Sequence, residues 1–137
     1  LVNDTFETAI TWDQWPAFDA LVRERVGAAL TETFGERQSL PYRFPHVYPD
    51  GPAPYYTWFG MGSQGSEISQ WQTIKDAANE AVVAAGGTST HHHAVGRMHR
   101  PGAYDVQRPE LFAESLRAAK KRLDPNGILN PGVLIDP

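Results

Sequence analysis

Over residues 1–85 the hydrophobic period of the chain switches from two to between three and four, and back again. That succession limits the fold more than any other feature, because strand side chains alternate between two faces while helix side chains return to one face every third or fourth position. Residues 5–12 alternate, with Phe6, Thr8, Ile10 and Trp12 on one side, as in a strand buried on one face. Over residues 13–30, Trp15, Phe18, Leu21 with Val22, Val26, and Ala29 with Leu30 form a helical stripe. Asp13 suits its N-cap and Pro16 fits only a first turn. Residues 41–48 alternate again, placing Tyr42, Phe44, His46 and Tyr48 on one face. Pro41 and Pro45 cannot donate to a ladder, so this is an edge strand.

Pro49-Asp50-Gly51-Pro52 is a turn. Tyr55, Thr57, Phe59 and Met61 then face one way, and Tyr56 and Trp58 the other. Apolar side chains on both faces predict an inner strand covered on both sides. A second helix from Glu67 to Ala85 carries Ile68, Trp71, Ile74, Ala78, Val82 and Ala85 on its apolar stripe. Ser66 or Ser69 caps it, and Gly86-Gly87 ends it. Thr88-Ser89-Thr90 is compatible with a short strand. A third helix is expected over Pro109–Leu123, with Leu111, Phe112, Leu116, Ala119 and Leu123 inward. The remainder reads as turns. The order is β-α-β-β-α-β, which predicts an α+β fold: a ferredoxin-like antiparallel sheet with helices packed on it, followed by a helical C-terminal tail.

Composition excludes several classes of function. The chain has no cysteine, hence no disulfide, thiolate metal site or cysteine nucleophile, and its net charge of -4 gives no basic field for nucleic acid. No apolar run approaches the ~20 residues of a membrane span. A start at Leu1, with strand sequence almost at once, leads us to expect a piece of a longer protein. A cytoplasmic setting is expected, with membrane association through a lipid-like substrate as an option.

The chemistry concentrates in Gly86-Gly87-Thr88-Ser89-Thr90-His91-His92-His93-Ala94-Val95-Gly96-Arg97. Imidazoles titrate near neutrality, so three in a row can move protons, bind metal or hold an anion. Extended, His91 and His93 would share a face, with His92 opposite. Two such rings fall short of the three or four ligands zinc takes. His46, His99, Asp105 and Glu110 could complete a set, and nothing singles one out. Tyr55 is the second candidate. A phenol is a poor base at neutral pH, and a neighbouring positive charge favours its ionised form. The second helix joins the Tyr55 strand to the histidines, so the two can meet on one sheet. Gly60, Gly62 and Gly65 match G-x-G-x-x-G in spacing but lack the strand–helix unit and trailing acid of a dinucleotide site, so this stretch reads as a mobile loop.

These residues resemble a known family. The segment from Gly86 to Arg97 is similar to the triple-histidine signature of alkyldihydroxyacetonephosphate synthases, which are FAD-linked oxidases of the vanillyl-alcohol-oxidase type. Asp4-Thr5-Phe6-Glu7-Thr8-Ala9 with Trp12-Asp13 resembles the start of the second half of their substrate (cap) domain. Tyr48 followed by Tyr55 resembles the strand that bears their catalytic tyrosine. Asp124-Pro125-Asn126-Gly127-Ile128-Leu129-Asn130-Pro131-Gly132 resembles the C-terminal signature of FAD-linked oxidases at large. Ala94 and Arg97 stand where the family commonly has glycine and lysine.

The resemblance implies that residues 1–90 are the C-terminal part of the cap domain. Residues 91–137 would be the active-site histidine segment and a tail returning to an N-terminal FAD-binding domain of the same protein. It implies FAD as cofactor, with no metal, and exchange of the acyl chain of acyl-dihydroxyacetone phosphate for a fatty alcohol, without net redox change. Tyr55 would be the proton donor and acceptor, and His91, His92 and His93 would assist it; His92, His93 and Asn130 would lie against the cofactor. The arginine that binds substrate in the family would fall upstream of Leu1. A homodimer is compatible with all of this. The alternative is an FAD-linked D-2-hydroxy-acid dehydrogenase or oxidase, a group that usually carries Gly-Glu-His where this chain has His91-His92-His93. A third reading is a non-catalytic metal-binding domain.

Overall fold

The computed structural model describes residues 1–136. Its centre is a nine-residue strand, β4 (Pro52–Gly60), with β1 (Val2–Glu7) antiparallel along one edge. The other edge is shared by β2 (Gln38–Ser39) and β3 (Tyr42–Val47), which pair with opposite ends of β4. Helices α1 (Trp15–Phe34) and α2 (Glu67–Ala84) pack together over one face of this sheet. A single turn, α3 (Asp105–Gln107), and a longer helix, α4 (Glu110–Leu123), follow. The α+β class expected from the sequence is the class observed.

The core lies between the helices and one sheet face. Phe18, Val22, Val26 and Leu30 of α1 meet Ile74, Ala78 and Val82 of α2 over Phe6, Tyr56 and Trp58. Phe6 and Tyr56 stack at 4.8 Å between ring centres. Each buried Val, Leu, Ile or Phe side chain here contributes roughly 1.5–3 kcal/mol. The Tyr56 hydroxyl donates to Asp19 Oδ1 at 2.7 Å, and burial, followed by that bond, pushes its pKa far up.

Several expectations are corrected. β4 is an inner strand by pairing, yet this chain covers one side of it only: Tyr55 and Thr57 are half-buried and Phe59 is 36% exposed. The alternation of β3 does not run through, because the register shifts between Arg43 and His46. Pro45 supplies no N–H to the ladder, and the bulge moves His46 opposite Ala53, onto the face of Tyr55. No strand forms at residues 88–90, so the order through the sheet and its two helices is β-α-β-β-β-α. Instead Thr88 is tied to the extension of β1: its N–H donates to Ala9 O (3.2 Å), its Oγ1 accepts from Ala9 N–H (3.0 Å), and its carbonyl accepts from Thr8 Oγ1 (2.7 Å). Gln14, not Asp13, precedes α1. Leu111 and Leu123 of the α4 stripe face outward, 76% and 80% exposed, because among the described residues no strand or other helix packs closely along α4.

Candidate active site

The uncovered sheet face carries the site. In antiparallel strands directly opposed residues point to the same side. Thr5 lies opposite Thr57, Glu7 opposite Tyr55, and Arg43 opposite Tyr55 from the other edge. Alternation along β1 therefore sends Thr5 and Glu7 to the Tyr55 face and Phe6 to the core. The Tyr55 hydroxyl donates to Thr5 Oγ1 at 3.1 Å, and the Arg43 guanidinium lies 4.9 Å from the centre of its ring. Thr5, Arg43, Tyr55 and Thr57 line a shallow hollow of about 340 Å³.

The histidine segment crosses the end of this face. It is not extended: His92 has φ 58°, and His93 N–H donates to His91 O at 2.7 Å. A positive φ is uncommon outside glycine, so the surroundings must hold this turn. Gln107 does so from one side, accepting from Ser89 N–H (2.8 Å) and donating to Gly87 O (2.7 Å). Thr90 Oγ1 donates to His93 O at 3.0 Å.

His91 and His93 do share one side, as expected, but the turn rather than a strand puts them there. His93 meets Tyr55 edge to face at 5.5 Å, so the phenol and the triplet come together. His92 stacks on His46 at 4.2 Å, and His91 Nε2 lies 3.3 Å from the Tyr48 hydroxyl. Asn130 is placed apart from them. It has φ 45° and lines an apolar cleft of about 350 Å³ with Leu116, Leu129 and Val133. The tail meets the histidine segment through Arg97, which donates to Pro131 O at 2.8 and 3.2 Å.

Sequence reasoning missed Glu7 and Lys75, and weighed His99 only as one of several candidates for a metal set. Glu7, only 4% exposed, lies under the triplet, with His91 Nδ1 3.5 Å from Oε1 and His93 Nε2 3.6 Å from Oε2. Lys75 is buried within α2 and donates to Asp4 Oδ2 (3.0 Å) and Thr5 O (2.8 Å), fixing β1 from beneath. Burial raises the Asp4 carboxyl, but the Thr5 N–H, Lys75 and Trp71 outweigh it and hold the group below its ordinary value. His99 is buried against Asn79 Oδ1 (3.1 Å), and burial, then the charges of Lys75 and His93, lower its pKa to about 4. Only the alternation of Glu7 with Phe6 in the sequence could have signalled the first. Among the described residues, no group of three histidine or acidic side chains has metal-holding geometry.

One α+β layer thus joins a tyrosine, a triple-histidine turn and a buried acid on its open sheet face. The chain belongs to the family of FAD linked oxidases, C-terminal domain, which it matches over residues 1–134. Within that class it is similar to alkyldihydroxyacetonephosphate synthases. It is 27% identical to the protein of that name from Caenorhabditis elegans over 99% of this chain and 23% of the relative. It is 26% identical to that from Trypanosoma brucei brucei over 96% of this chain and 21% of the relative. The chain thus spans less than a quarter of the length of these relatives.

Proposed function

We propose that the chain is the C-terminal, substrate-side portion of an FAD-dependent enzyme that exchanges the acyl chain of an acyl-dihydroxyacetone phosphate for a fatty alcohol, in ether-lipid synthesis. The observation that carries this reading is the shared face of Tyr55 and His91–His93. The similarity to the two synthases supports it. An N-terminal FAD-binding domain of the same protein would cover the open face, and the lipid-like substrate would lie between them.

The residues present fit a flavin. The open face offers apolar contact through Phe59 beside polar groups, and two buried polar atoms on it, Glu7 Oε1 and His91 Nδ1, have no hydrogen-bond partner among the described residues. His92 and His93 would flank the cofactor, with Asn130 reaching it from the tail. FAD, when bound, supplies the electron-poor ring system that activates the three-carbon unit of the substrate. The chain's own task is proton movement. A proton must leave the carbon beside the substrate carbonyl and later return, and a positioned side chain does both best. Tyr55 is held by Thr5 Oγ1 at the hollow, and the imidazole of His93 at its edge can pass the proton on. Arg43 adds positive charge next to anionic substrate groups.

The test is Tyr55→Phe and His92→Ala in the full-length protein. Both are expected to abolish release of fatty acid and incorporation of alcohol while leaving flavin bound. Undiminished exchange in either variant would remove that residue from the mechanism. Reduction of the flavin by a D-2-hydroxy acid, with an oxo acid formed, would replace the synthase reading by a dehydrogenase.

A further inference from the structure

Glu7 has no role in the proton movement just described, yet it is the most buried polar group on the site face. No Lys or Arg among the described residues forms an ion pair with it; Lys75, on the far side of β1, is taken by Asp4 and Thr5. What faces its carboxylate is imidazole: His91 and His93 from the loop at 3.5 and 3.6 Å, and His46 from the bulge of β3 at 3.9 Å. Tyr55 is its neighbour on β4. A buried carboxylate without hydrogen bonds is costly, so an arrangement that aims two rings at its two oxygens needs a reason.

We propose that Glu7 is the positioning residue of the triplet: it takes one N–H from His91 and one from His93, and so holds the turn that carries His92 at its tip. The two oxygens are used separately. Oε1 faces Nδ1 of His91, and Oε2 faces Nε2 of His93. The separations exceed a closed hydrogen bond by a few tenths of an ångström, as catalytic hydrogen bonds often do before a ligand seats.

Two consequences follow from the ring chemistry. A proton on His91 Nδ1 leaves its Nε2 as an acceptor, which is where the Tyr48 hydroxyl lies, at 3.3 Å. His91 is thereby engaged at both nitrogens. His92 occupies the tip of the turn with φ 58°, stacked on His46, and neither of its nitrogens has a partner among the described residues. His91 is a support engaged at both nitrogens, while His92 and the Nδ1 of His93 are left free to act. Which nitrogen of an imidazole carries the proton is set by the bond the other nitrogen makes, and a carboxylate is a common setter.

This inference rests on the proposed function for its turnover readout only. The first measurement is independent of turnover: two-bond ¹H–¹⁵N spectra of the full-length flavin-loaded protein labelled with ¹⁵N-histidine, assigned by single His→Gln variants. The expected result is a proton on Nδ1 of His91 and on Nε2 of His93. A neutral imidazole left to itself favours the proton on Nε2, so finding His91 as the Nε2–H tautomer would overturn the proposal.

The second measurement is Glu7→Gln. An amide has one accepting oxygen and one donating nitrogen, so it cannot accept from both rings, and at least one ring must turn or change tautomer. We expect a kcat loss of about 100-fold or more, in line with carboxylate-to-amide changes behind a catalytic histidine. KM should stay within about threefold and flavin content should be unchanged. Unchanged kcat with unchanged histidine spectra would refute the role. If Glu7→Gln does not fold, the wild-type spectrum alone decides. If the tautomers are as expected but acyl exchange is absent, the proposed function fails and the positioning role stands.

Discussion

Acidification should weaken this domain through His99, and the size of the effect can be worked out. The ring is 4% exposed, with Nδ1 3.1 Å from Asn79 Oδ1, while Asn79 Nδ2 donates to Met98 O at 2.7 Å. Burial first, then the charges of Lys75 and His93, bring its pKa from the ordinary 6.5 down to about 4 in the folded chain. The unfolded chain therefore binds a proton in a range where the folded chain does not. Stability from the neutral ring is fully present above pH 6.5 and is lost as pH falls from there toward 4. At 1.36 kcal/mol per unit, about 2 kcal/mol is gone at pH 5 and about 3 kcal/mol at pH 4, against a typical total of roughly 5–15 kcal/mol.

The perturbation is His99→Gln, which keeps a hydrogen-bonding group for Asn79 and cannot titrate. Urea unfolding, followed by tryptophan fluorescence at pH 7, 6 and 5, gives the stability of each protein at each pH. Other titrating groups cancel in the difference. Wild type should lose about 2 kcal/mol more than the variant between pH 7 and pH 5. Parallel pH dependence of the two proteins would refute the reasoning and mean that the ring is protonated within the fold.

Two further perturbations probe the support of the site. Lys75→Met leaves Asp4 without its buried partner and should cost about 3 kcal/mol, the low end for such pairs because Trp71 Nε1 and Thr5 N–H still donate to Asp4; in the double variant with Asp4→Asn, denaturation should show most of that restored. Gly87→Ala places a methyl carbon 2.5 Å from the Phe18 ring and 2.7 Å from Thr8 Oγ1, so it should break the Thr8–Thr88 tie and displace the triplet. Activity of the full-length enzyme should fall more than its melting temperature does, and an active Gly87→Ala protein would show that the tie does not position the histidines.

The sequence by itself determined the elements and the chemical inventory. Period and punctuation are local properties, so Phe18 to Leu30 read as a helix, Tyr55 to Phe59 as an inner strand and Gly86-Gly87 as a stop without knowledge of the fold. The triplet was visible because three adjacent imidazoles need no tertiary contact to stand out. Tertiary structure decided the rest, because it depends on register and on what packs against what. The pairing of Glu7 with Tyr55 brings an acid under the histidines from more than eighty residues away in the chain. The bulge at Pro45 reverses the face of His46, which alternation alone assigns to the wrong side. Lys75 and His99, ordinary polar residues in the sequence, become buried because α2 covers β1 and the loop after the triplet folds back on α2. The outward stripe of α4 has the same origin: the sequence specifies an apolar face, and only the chain packed around it decides whether that face is covered.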